Sequence, residues 1–114
     1  MSIKNTDNAE HYKWGENSDG WHLLKSDGLS VIQERVPAGE QECRHYHNHS
    51  QQFFYILVGT AQMEIAGVIH QVVAGSGIHV PAGEPHQLKN NGTDELEMLV
   101  ISQPMSHGDR VIVP

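Results

Sequence analysis

The feature that most constrains this chain is its punctuation: eleven glycines and five prolines are spread along it rather than pooled, and they cut it into short segments. "LSVIQERV" (29–36) ends at "PAG", "FFYILV" (53–58) at Gly59, "TAQMEIA" (60–66) at Gly67, and "GIHV" (77–80) at a second "PAG". In "TAQMEI", Ala61, Met63 and Ile65 alternate with Thr60, Gln62 and Glu64, the two-residue repeat of a half-exposed strand. "VIHQVV" (68–73), "HQLKN" (86–90) and "ELEMLVISQP" (95–104) continue the series, and no stretch keeps a helical period. The pattern predicts an all-β chain built as a sandwich, jelly roll or small barrel.

A chain of 114 residues with 38% hydrophobic residues has enough apolar material for one core. We assign residues 1–20, polar and carrying the turn-like "GENSDG", to an extended N-terminal arm anchored by Trp14 and Trp21, and residues 21–114 to the folded domain. The net charge is −7 and the seven basic residues are scattered, so nucleic acid and anionic membrane surfaces are poor partners. The apolar runs are too short to cross a bilayer and the N-terminus is not signal-like, so a cytoplasmic protein is expected. The single cysteine, Cys43, cannot form an internal disulfide and is expected to be a small buried apolar residue.

Alternation also predicts directions. Ile32, Glu34 and Val36 share one strand face, which makes Glu34 the only strand-borne carboxylate with an inward parity and a candidate catalytic acid or base. His45 and His47 lie two apart in "HYHNHSQQ" (45–52), so on a strand their imidazoles point the same way, as converging metal ligands must. Neutral imidazole is the form that binds a divalent cation. Further ligands must come from neighbouring strands.

The spacing around these residues resembles a known family. Gly39, five residues, His45-Tyr46-His47, four residues, Gln52, six residues and Gly59 are similar to the first cupin motif, with glutamine in place of its usual glutamate. Gly75, five residues, Pro81-Ala82-Gly83, two residues, His86, three residues and Asn90 match the second cupin motif at every defined position. The resemblance implies a single-domain cupin β-barrel, the double-stranded β-helix or jelly roll, with His45, His47, Gln52 and His86 around a common metal in its mouth. Gln51 would fit the shorter family spacing to His47 but breaks the count to Gly59; Gln52 keeps both. His49 is placed at the rim, because the family's chain turns into a loop there.

If Gln52 points inward, so do Phe54, Ile56 and Val58, while Phe53, Tyr55 and Leu57 face outward and need cover, for which a homodimer is the expected solution. His11, His22, His70, His79 and His107 have no partner at ligand spacing and are read as structural or surface residues. "GSG" (75–77) lacks the full nucleotide-binding glycine pattern and no helix follows it. Asp109 and Arg110 are expected to form a salt-bridged C-terminal clamp.

Glutamine leaves the ligand shell uncharged, so the ion keeps its full 2+ charge and is a stronger Lewis acid. Such a shell holds manganese less well than nickel, zinc, copper or ferrous iron. Three chemistries follow for a small-molecule substrate: an isomerase or lyase in which the metal polarises a carbonyl or hydroxyl, a dioxygenase, or a non-catalytic binding or sensing module. Cupins with three histidines and one glutamine include the pectin-degradation protein that opens unsaturated uronates. That protein carries an aspartate on its last strand, whereas "EMLVISQP" (97–104) has apolar residues at the matching positions.

Overall fold

In the computed structural model, which describes residues 3–114, the chain forms eleven strands and no helix among the described residues. They are β1 (Glu10–Trp14), β2 (Ser18–Lys25), β3 (Ser30–Val36), β4 (His45–His47), β5 (Gln51–Val58), β6 (Thr60–Ile65), β7 (Val68–Val73), β8 (Gly77–Val80), β9 (His86–Lys89), β10 (Leu96–Gln103) and β11 (Arg110–Ile112). A six-stranded sheet has the order β1-β2-β3-β10-β5-β8, and a five-stranded sheet the order β11-β4-β9-β6-β7. All pairings are antiparallel, and most link strands far apart in sequence. This is the two-sheet jelly roll that the short alternating segments predict.

Alternation decides which side chains meet between the sheets. On β10, Leu96, Met98, Val100 and Ser102 are buried and the residues between them only partly so. On β5 the buried set is Gln52, Phe54 and Ile56, and on β6 it is Ala61 and Met63. The apolar members join Val36, Val72, Val80 and Leu88 in one core. Where these strands reach Ser30, Gln52, His86 and Ser102, the buried residues become polar. The interior therefore has an apolar end and a polar end.

Gly59 closes the β5–β6 turn at φ 86°, where a Cβ would stand 2.6 Å from the Glu95 carbonyl oxygen, so only glycine fits. Just before it the expected parity fails. Val58 is 47% exposed instead of inward, because the β5–β10 pairing slips between Glu97 and Met98: Glu97 pairs with Val58 and Met98 with Ile56. Phe53 does face outward, and its ring lies over Gly77 of β8, where a Cβ would come within 2.4 Å of it.

Residues 10–25, which include most of the stretch expected to be an arm, form the β1–β2 hairpin and continue the six-stranded sheet beyond β3. Trp14 packs against the core and donates its indole N–H to the Asp19 carbonyl. Asp19 is buried and ties the three strands together through His11, Lys13 and Arg35. Lys13 first, then His11 and Arg35, hold its carboxyl well below the usual range against the opposing effect of burial. Cys43 is exposed rather than buried, since it precedes β4 on an irregular segment where alternation has no hold.

Candidate metal centre

The three-residue strand β4 turns His45 and His47 inward and leaves Tyr46 half-buried on the other side. His45 pairs directly with His86 of β9, so the antiparallel register alone brings the third imidazole alongside. The ring centroids lie 4.4 Å apart for His45–His86, 4.9 Å for His45–His47 and 5.8 Å for His47–His86. One nitrogen from each ring falls within 4.8 Å of the others. Gln52 comes from the opposite sheet, buried at the start of β5.

Hydrogen bonds decide which atoms face the site. His45 Nδ1 lies 2.7 Å from the Cys43 carbonyl oxygen and His86 Nδ1 lies 2.9 Å from that of Glu84. A carbonyl only accepts, so both Nδ1 atoms carry the proton and both Nε2 atoms present lone pairs. Gln52 Nε2 donates to Ser102 Oγ at 3.0 Å, leaving Oε1 as the free end of the amide. The buried Nε2 atoms of His47 and His86, Nδ1 of His47 and Oε1 of Gln52 have no partner within the protein. Buried lone pairs facing one another repel unless a cation or donor lies between them. This donor set fits a divalent transition metal.

The electrostatics agree. Burial drives the His45 imidazole down to about 3 and holds His47 and His86 below their ordinary value, so all three are neutral at neutral pH, the form that can bind a cation. The turn that carries the chain from His47 in one sheet to Gln52 in the other is held by Asp109. Its carboxylate accepts the backbone N–H groups of Asn48, His49 and Ser50 at 3.1, 2.9 and 2.9 Å. Asp109 is thus a clamp on the β4–β5 loop and not half of a salt bridge with Arg110, which pairs with His47 across β11–β4 and lines the cavity. His49 and Gln51 are exposed.

Over His45, His47 and Gln52 opens a cavity of about 640 Å³. Its walls are apolar at Ile32, Phe54 and Val100 and ionisable at Glu34, Glu42 and Arg110. Glu34 has the inward parity that alternation gives it. Burial and the Glu42 charge raise its carboxyl to about 8, against a hydrogen bond from Tyr12 and the pull of Arg110. Burial raises Glu42 to about 7, opposed by Arg110 and the Leu88 N–H. His22 and His107, read from sequence as structural or surface residues, also line the cavity.

Sequence reading missed Ser102, Glu42, Tyr12 and Arg110. For Ser102 the signal was present: it continues the inward parity of Leu96, Met98 and Val100. The others come from the N-terminal hairpin, from an irregular segment and from a short edge strand, where periodicity says little.

The fold is a two-sheet jelly roll with three converging histidines and a glutamine at the polar end of its interior, a cluster that could hold a metal ion. The chain belongs to the cupin family, whose domain matches residues 32–102. It is 33% identical over 93 residues to the uncharacterised protein MJ1618 of Methanocaldococcus jannaschii, covering 81% of this chain and 74% of that one. It is 28% identical over 79 residues to protein SchB of Streptomyces halstedii, covering 69% of this chain but 54% of SchB. The fold superposes on the polyketide cyclase RemF of Streptomyces resistomycificus with a TM-score of 0.85 at 17% identity, covering 100% of this chain and 86% of RemF.

Proposed function

We propose that this cupin is a metal-dependent small-molecule enzyme of isomerase or lyase type, with His45, His47, His86 and Gln52 as ligands and Glu34 as the proton-transfer group. The observation that carries this reading is the convergence of buried lone pairs beneath a cavity that also holds Glu34. The bound metal supplies Lewis acidity, undiminished by any carboxylate ligand. Glu34 holds a proton at neutral pH and can deliver it, while the apolar walls limit water and Arg110 offers a fixed positive charge. A substrate rich in carbonyl and hydroxyl oxygens, of carbohydrate or keto-acid type, fits such a lining.

Elemental analysis of the purified protein should find about one transition metal per chain, with nickel, zinc, copper or iron ahead of manganese. His47→Ala and His86→Ala should each abolish stoichiometric binding. Wild-type metal content in both variants would overturn the ligand assignment.

A homodimer is part of the same proposal. Its support is the outer face of β5, where Phe53 and Leu57 are 39% and 40% exposed. Leu57→Asp should shift sedimentation from dimer to monomer; a wild-type protein that sediments as a monomer would remove this element.

A further inference from the structure

Three residues on neighbouring strands stand in one row: Tyr12 of β1 pairs with Gly20 of β2, and Gly20 pairs with Glu34 of β3. Side chains two strands apart are separated by roughly 10 Å of sheet and do not ordinarily meet. Here the middle position has no side chain, and the Tyr12 ring occupies the space. A Cβ on Gly20 would lie 2.2 Å from Tyr12 Cζ and 2.4 Å from its hydroxyl oxygen. Lying across β2, the phenol brings its O–H 3.3 Å from Glu34 Oε2 and donates to it. Tyr12 and Glu34 both line the cavity that holds His45, His47 and Gln52.

We propose that Tyr12, seated on Gly20, is the positioning residue that holds the Glu34 carboxyl in place as the proton-transfer group of this cavity. The inference rests on the metal-dependent reading above and adds to it the residues that aim the acid. Glu34 gives its proton to one atom of the bound molecule and takes a proton from another. The electron pair of the broken bond to hydrogen stays within the substrate, so the step balances without an oxidant or reductant. Tyr12 keeps its proton throughout, because burial and the Glu34 charge raise its hydroxyl well above the ordinary range, so it has an O–H to donate to the Glu34 carboxylate. A donor favours the carboxylate over the acid. Tyr12 from β1 and Arg110 from β11 thus oppose burial and Glu42, which push the same carboxyl upward. Glu10, His22, Lys25 and His107 complete the ionisable lining of the cavity.

The test is a carbon-NMR titration of protein labelled at the glutamate carboxyl, with Glu34 assigned by its loss in Glu34→Gln. In Tyr12→Phe the Glu34 midpoint should rise by about one pH unit, the worth of a hydrogen bond to a charged group. Metal content should be unchanged. Gly20→Ala, which displaces the ring but keeps the hydroxyl, should reproduce the rise. An unchanged midpoint in Tyr12→Phe overturns the proposal, and so does a rise accompanied by loss of metal, which would mean that Tyr12 supports the whole site. A wild-type protein that binds no metal sinks the enzymatic reading instead, and the midpoints still decide what Tyr12 does to Glu34.

Discussion

Ser102 Oγ, on β10, accepts the Gln52 Nε2 hydrogen bond at 3.0 Å from the directly paired position on β5, and both residues are buried. An amide offers either its oxygen or its nitrogen to a metal site, and only the oxygen can coordinate. In this structure the serine engages the nitrogen and leaves the oxygen free. Ser102→Ala should therefore weaken metal binding by about tenfold or more, the usual consequence of losing a group that orients a ligand. Ser102→Thr should restore it. Competition with a chelator measures both, and an affinity untouched by Ser102→Ala would mean that Gln52 does not bind the metal.

Gln52→Glu replaces a neutral oxygen by a charged one in the same buried position. The harder, anionic ligand should raise manganese content relative to nickel or zinc in protein grown with mixed metals. It should also make the site a weaker Lewis acid, since the carboxylate offsets part of the ion's charge. Elemental analysis of the two proteins from one medium reads the outcome, and identical metal profiles would contradict it.

The stability of the metal-free protein should peak at about pH 6.5. His45, His47 and His86 are held below their ordinary value of 6.5 by burial, so below that pH the unfolded chain takes up protons that the native one refuses, and stability is lost on acidification. Glu34 and Glu42 act in the opposite sense. Their native values of about 8 and 7 exceed the ordinary 4.5, so their contribution is complete below 4.5 and disappears as pH rises through those native values. The histidines set the acid side of the curve, joined at lower pH by the depressed carboxyls of Asp19, Glu64 and Asp109, and the two raised carboxyls set its alkaline side. Urea unfolding at about pH 4, 6.5 and 9 should show the dome, and Glu34→Gln should flatten its alkaline side. A steady rise from acid to alkali would contradict the assignment.

Much of the centre was legible before any fold was known. His45 and His47 share a face because strand side chains alternate, and their spacing to Gln52, together with that of His86 to "PAG", carried the cupin resemblance. The same rule placed Glu34 inward. It failed at Val58, where one slipped residue opposite Glu97 and Met98 breaks the alternation, and at Cys43, which lies outside a strand.

Alternation is a local property of the backbone, so a segment of chain carries it wherever it is placed, and the faces of β3, β5, β6 and β10 could be read in advance. Neighbourhood is not local. That Ser102 stands opposite Gln52, that His86 meets His45, that Asp109 closes the loop at Asn48, and that Tyr12 crosses Gly20 to reach Glu34 all depend on strand order and register. Those are set by the burial of one shared core and by pairings between strands as far apart in sequence as β3 and β10. The three histidines and Gln52 belong to the chain's pattern, and the residues that orient them belong to the packing.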